Sequence, residues 1–268
     1  MFVLEVFQYD FMNKALIVGF FTAIATAMLG NFVVTARQAI VSDMLAHTAL
    51  VGVGLGIFWQ LSPSFIAMCT TVVAALVLWW LSRSKNQAPE AISMLLLTGG
   101  LATALLLTHL QKDNPIALTT YLFGSILTIT DNEMWTFIAL SVAIIAVLLV
   151  FWRPLLTLVF DGDFLKTQPY GVFYEILFMI LIALVVAIGL KVIGGLLIGA
   201  LLVIPVLIAQ SFSSSFFQSV LISIIVNVFA VTIGIFSSFY LDVPASSGIV
   251  LSLILIFIIS KLKTLIDS

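Results

Sequence analysis

A polytopic helical membrane bundle is the all-α fold class that this sequence predicts, and three observations predict it. Hydrophobic residues make up 63% of the 268 positions and charged residues only 8%. A soluble domain of this size has no core large enough to hide that much apolar surface. Apolar runs long enough to cross roughly 30 Å of hydrocarbon recur along the whole chain. Lysine and arginine gather in alternate connections, the asymmetry that orients helices in a bilayer.

Nine runs carry this reading: 13–36, 39–59, 64–82, 91–109, 132–152, 172–190, 192–209, 216–238 and 246–262. The first follows an acidic start with Glu5 and Asp10 and has neither a basic leader nor a small-residue cleavage site, so it is expected to be a retained span. The second holds Asp43 and His47. The third contains Cys69, which has no partner in the chain, so disulfides and thiolate zinc centres are not expected. The fourth ends at His109 beside Lys112 and Asp113. Between 114 and 130 the chain is semi-polar, with Pro115 and Gly124, the composition of a short broken or re-entrant helix. The stretch 172–209 reads as two spans joined only by Lys191 and its neighbours, and a count of eight or ten spans fits the same runs. The whole of 1–268 is expected to form one transmembrane domain.

With the amino terminus outside, the inner face collects Arg37, Arg83, Lys85, Arg153, Lys166, Lys261 and Lys263, against Lys14, Lys112 and Lys191 outside. The carboxyl terminus is then cytoplasmic. Asp113, Asp131, Glu133 and Asp242 form an acidic outer rim, suited to arriving cations or a docking partner, and equally explained as ordinary loop charge.

The longest inner connection is 153–171, with Phe160, Asp161, Asp163 and Phe164 at its centre. It is too apolar for a free linker and too short and polar to span. Such a segment lies on the membrane surface or docks in a partner's groove.

Asp43 and His47 are the sharpest feature. The chain has two histidines, and one of them sits inside a span, four residues from a carboxylate. On a helix that spacing puts both groups on one face. Together they offer oxygen and nitrogen to a divalent transition metal. Ionisable groups inside a bilayer are costly and mark ion or substrate paths. The plainer alternative is a hydrogen-bonded pair that ties helices together. Two ligands are too few for tight zinc coordination, so the pair suits a relay site, completed by water or by a second copy.

Other polar positions have plain readings. Asn31 and Asn227 are expected to hydrogen-bond neighbouring helices, and Glu175 to sit favourably near a helix start. His109 reads as interfacial or structural, with auxiliary metal capture as the other reading. The Gly195-x-x-x-Gly199 spacing permits close helix approach.

Five segments carry a family resemblance. They are Arg37-Gln38-Ala39-Ile40-Val41-Ser42-Asp43-Met44-Leu45-Ala46-His47 with Gly52-Val53-Gly54-Leu55-Gly56; Tyr121-Leu122-Phe123-Gly124-Ser125-Ile126-Leu127-Thr128; the Phe160-Asp161 loop; Gly194-Gly195-Leu196-Leu197-Ile198-Gly199-Ala200-Leu201-Leu202-Val203-Ile204-Pro205; and Tyr240-Leu241-Asp242-Val243-Pro244-Ala245. In that order, from Tyr9 to Lys263, the chain resembles the permease subunit of the ATP-driven importers for zinc and manganese. The resemblance implies a permease homodimer around a central path, two cytoplasmic ATPase subunits on loops like 153–171, and an extracytoplasmic metal-binding protein that delivers the ion. It also implies a bacterial plasma membrane location. The metal, Zn2+ or Mn2+, is then cargo, and no permanently bound cofactor is implied. Ser42 stands where many relatives have glycine, and zinc-type members often share the serine, which favours zinc over manganese. Gly162 replaces the proline or acidic residue common after Phe-Asp, and no histidine-rich outer loop is present.

No G-x-x-x-x-G-K-[ST] phosphate loop occurs, so ATP is expected on a separate subunit. A gradient-driven secondary transporter that uses Asp43 and His47 as proton carriers is the alternative from another class. An intramembrane enzyme is disfavoured, because no H-E-x-x-H motif occurs. No nucleic-acid partner is expected.

Overall fold

The computed structural model describes residues 8–83, 89–110 and 116–267. Twelve α-helices run in chain order among the described residues: α1 Asp10–Thr35, α2 Ala39–Phe58, α3 Pro63–Ser82, α4 Pro89–Leu110, α5 Ile116–Phe123, α6 Asp131–Val150, α7 Trp152–Phe160, α8 Gly162–Thr167, α9 Gly171–Val192, α10 Ile198–Gln210, α11 Phe216–Leu241 and α12 Ala245–Asp267. No strand occurs among the described residues. Seven of these helices are long and apolar enough to cross a membrane, and Ala91–Leu107 and Ile198–Gln210 are shorter apolar stretches. Glu5, Lys85, Lys112, Asp113, Asn114 and Pro115 lie outside the described residues.

Helix starts follow local chemistry. Pro63 opens α3, where its missing N–H costs nothing. Thr130 and Glu133 form a reciprocal capping box at the start of α6. Asp161 caps α8 by accepting from the Phe164 N–H at 3.1 Å. Arg37, at φ 58°, lets the chain reverse between α1 and α2.

α1 and α2 are the most deeply covered spans. α1 packs on α6, α9, α10 and α11, while α2 packs chiefly on α3 and α4. Leu29, Phe32, Met44, Leu45, Ile182 and Leu202 lie in the shared apolar core. At one end of the bundle, the rings of Phe32, Trp152 and Phe216 meet with centroids 5.0–5.8 Å apart and seat α7 on α1 and α11.

A buried polar seam joins α1 to α11. Asn31 donates to Ser223 Oγ at 2.7 Å and accepts from Ser219 Oγ at 2.8 Å. Asn227 donates to the Ala23 carbonyl at 3.0 Å. Both amides are thus the interhelical ties expected of them.

The stretch read as a span at 192–209 is a shorter device. α10 has 13 residues, about 20 Å at 1.5 Å per residue, less than the hydrocarbon thickness. Its missing length is the non-helical crossing 193–197, which packs against the break after α5. The N–H groups of Gly195 and Leu196 donate to the carbonyls of Tyr121 and Leu122 at 3.0 and 3.3 Å, and Ser125 N–H donates to the Lys191 carbonyl at 3.0 Å. Two broken segments satisfy each other's backbone, the condition for irregular chain at membrane depth. Gly124 and Gly194, at φ +75° and +100°, touch across the crossing so closely that a Cβ on either would overlap the other's backbone. The short helix expected near 114–130 is therefore present as α5, followed by a 3-10 turn at Ile126–Thr128.

Lys191 is more than a loop charge. Its Nζ lies 3.4 Å from Glu133 Oε1 and 5.1 Å from the Tyr121 ring centroid. Ser64 Oγ donates to the same carboxylate at 3.2 Å. Asp131, in turn, pairs with Lys14 at 2.6 Å. Two members of the expected acidic rim are thus ion-paired within the chain, Asp131 to a lysine that it shares with Asp10.

Candidate metal path and coupling helices

Between Val41 and Gly56, every residue of α2 is buried except Asp43, His47, Val51 and Leu55, each four after the last. This helix is covered by its neighbours on all sides but one stripe, and the carboxylate and imidazole lie on that stripe. A carboxylate facing lipid tails would be costly, so the stripe must meet water or another polypeptide. His47 is eight residues into the 20-residue α2, about 12 Å along its axis and near the middle of the helix.

Two glycines shape the surroundings. Gly199, in the first turn of α10, comes so close to Asp43 that an added Cβ would overlap Oδ1 and lie 3.1 Å from Cγ. On α4, a Cβ at Gly100 would stand 3.3 Å from the carbonyl carbon of His47. The pair therefore sits in a shallow trough with α4 and α10 as walls. His47 Nδ1 is buried and has no hydrogen-bond partner among the described residues. Such an orphaned nitrogen costs about 1–3 kcal/mol unless something fills its lone pair or takes its proton. No cluster of three or more His, Cys, Asp or Glu side chains that could hold a metal occurs among the described residues. One chain thus offers at most half of a four-ligand shell.

The segment 153–171 is built of α7 and α8. Leu155 and Leu165 are buried and anchor it. Phe160 and Phe164 are 64% and 54% exposed, while Asp161 and Asp163 stand on the surface. Beside it a cavity of about 630 Å³ is lined by Gln38, Trp79, Arg83, Leu158, Val159 and Glu175. Glu175 accepts from Trp79 Nε1 at 3.0 Å, a specific partner beyond the favourable helix start expected for it. His109 is exposed in the last turn of α4.

Sequence reasoning did not single out Gly199 or Gly100 as walls of the trough, nor the cluster of Glu133, Lys191, Ser64 and Tyr121. The Thr130-x-x-Glu133 spacing was the readable signal for the last of these. The Gly195-x-x-x-Gly199 spacing pointed to a close approach without saying to what.

Fold and site define a multi-pass membrane protein of the transporter kind, with an ionisable pair in a covered span and an amphipathic helical pair at one end. Comparison with known proteins agrees. Residues 8–264 match the model of the ABC 3 transport family. The high-affinity zinc uptake system membrane protein ZnuB of Buchnera aphidicola subsp. Acyrthosiphon pisum is 30% identical over 258 residues, 96% of this chain and 98% of that protein. An uncharacterised Synechocystis membrane protein, slr2045, is 30% identical over 181 residues, 68% of this chain and 64% of that protein. Among solved structures, PsaBC from Streptococcus pneumoniae in complex with Fab superposes with a TM-score of 0.86 at 25% identity, over 97% of this chain and 94% of that one. The chain belongs to the ABC 3 transport family. It is the membrane subunit of an ABC-type transporter and not itself the enzyme.

Proposed function

We propose that this chain is the permease of an ATP-driven importer that carries Zn2+ into the cytoplasm, with Asp43 and His47 contacting the ion in transit. The observation that carries the reading is the single uncovered stripe of α2, which bears both groups. A symmetric pair of chains facing each other across this stripe brings two carboxylates and two imidazoles to one path, enough for a zinc shell of moderate affinity that releases its cargo. The zinc-uptake relatives and Ser42 support zinc, and imidazole ligation suits zinc better than the harder manganese ion. Manganese is the alternative cargo within the same class.

In this reading the whole chain is one domain, its amino terminus lies outside, and α7 and α8 face the cytoplasm. Phe160 and Phe164 dock on a separate ATPase subunit, Asp161 and Asp163 flank that contact, and an extracytoplasmic metal-binding protein delivers the ion to the opposite face. The test is uptake of radioactive zinc into liposomes holding the permease, its ATPase and the delivery protein. ATP inside should drive uptake, and Asp43→Ala or His47→Ala should abolish it without loss of assembly. Uptake by the permease alone under a proton gradient would establish the secondary-transporter reading instead.

A further inference from the structure

We infer that Asn227 is a positioning residue for the ion path: it replaces the helical hydrogen bond that Pro205 removes from α10 and so holds Gly199 against Asp43. The inference rests on the reading of Asp43 as an ion ligand.

Pro205 lies inside α10. Having no N–H, it leaves the carbonyl four residues earlier, that of Leu201, without its α-helical donor. Leu201 is fully buried, so water does not reach it. Asn227 on α11, itself 0% exposed, directs Nδ2 at that carbonyl, 3.4 Å away. The same nitrogen serves the Ala23 carbonyl at 3.0 Å and Thr26 Oγ1 at 2.9 Å. Two of these acceptors are carbonyls, which donate nothing, so the amide nitrogen and not its oxygen must face them. Two hydrogens among three acceptors means that one is shared, and the amide thereby ties α11 to α1 through Ala23 and Thr26 and, by its longest contact, to α10 at Leu201. Asn227 Oδ1 is buried without a partner among the described residues. An apolar side chain of similar size would avoid that penalty, so the donor is present for what it bonds.

α1 grips the adjacent peptide from its own side. Gly30 approaches so closely that a Cβ there would overlap the Leu202 carbonyl oxygen. The carbonyls of Leu201 and Leu202 are thus held by α11 and α1, in the middle of a helix too short to span. Gly199 lies two residues before Leu201, about 3 Å along the axis and within the same turn. A shift of α10 at Leu201 therefore moves Gly199, and with it the wall against which the Asp43 carboxylate rests.

A proline compensation test separates this role from simple helix gluing. Asn227→Leu in the full assembly should lower the zinc uptake rate about tenfold, equivalent to about 1.4 kcal/mol and within the cost of one unsatisfied buried carbonyl. It should also speed amide hydrogen exchange in 198–206, a readout that needs no metal. Adding Pro205→Ala restores the peptide N–H opposite the Leu201 carbonyl, and the double variant should regain both uptake and protection. The inference is overturned if Asn227→Leu transports normally. It is equally overturned if the double variant stays as impaired or as poorly assembled as the single one, since Asn227 then acts through Ala23 and Thr26 alone. Recovery of protection without recovery of uptake also overturns it. Normal uptake by Asp43→Ala would instead remove the ligand reading, and the exchange results would still report on α10.

Discussion

Replacing Gly199 with alanine probes the trough at the point where its wall meets the Asp43 carboxylate. The three atoms nearest an added Cβ all belong to Asp43: Oδ1 would overlap it, Cγ would lie 3.1 Å away and Oδ2 3.6 Å away. No other residue shares the strain. If α10 stayed in place, relief would come from turning the carboxylate off its rotamer along the uncovered stripe, at about 0.5–1.5 kcal/mol. The fold would lose little, since overpacking a closed core site costs about 1–3 kcal/mol and this site is open on one side. Coordination is far less tolerant, because a productive ligand set must be held to about 0.5 Å. The expected result is a purified assembly whose melting temperature changes by only a few degrees and whose apparent affinity for zinc falls at least about tenfold. Uptake measured against free zinc concentration gives the second quantity. In an Asp43→Ala background the same substitution should cost no further stability, because the clashing atoms are gone. Wild-type affinity and rate in Gly199→Ala would refute the reasoning, as would equal destabilisation with and without Asp43.

Phe160→Ser with Phe164→Ser should weaken co-purification with the ATPase subunit and uncouple hydrolysis from uptake, because exposed aromatic anchors dominate such contacts. Gly194→Ala should prevent accumulation of folded protein: it combines an unfavourable φ of +100° with backbone overlap at the α5 crossing, and membrane-fraction immunoblots read this directly. Loss of the gene should slow growth under zinc chelation, with rescue by zinc and poor rescue by manganese while the native delivery protein is present.

Much of the architecture was legible because hydropathy and run length are local properties. Among the described residues each of the nine apolar runs holds an apolar helix, with ends close to those of the run except at α10, which starts only at Ile198. Gly124 marked the break after α5 for the same reason: backbone punctuation is written in the residue that causes it. α10 was read as a full span because 192–209 is apolar throughout, and hydropathy is blind to a break whose backbone is satisfied by another segment. Gly194, Gly195 and Pro205 were the visible signs. Asp43 and His47 were legible from chemistry and spacing on one helix. Their walls were not, since Gly199 and Gly100 come from helices far away in sequence. Lys191 was read as loop charge because its partner, Glu133, is supplied by a different helix. The tie from Asn227 to Leu201 joins a missing N–H on one helix to an amide on the next, and only the packing brings them together.

The central claim is that the ion touches Asp43 and His47, and locating zinc in the working assembly tests it most directly. Anomalous scattering at the zinc edge from the permease with its ATPase, loaded with zinc and verified as transport-competent, should place a peak about 2.0–2.2 Å from an Asp43 oxygen and a His47 nitrogen. A zinc peak elsewhere in the path, with both side chains outside coordination distance and transport intact, would contradict it.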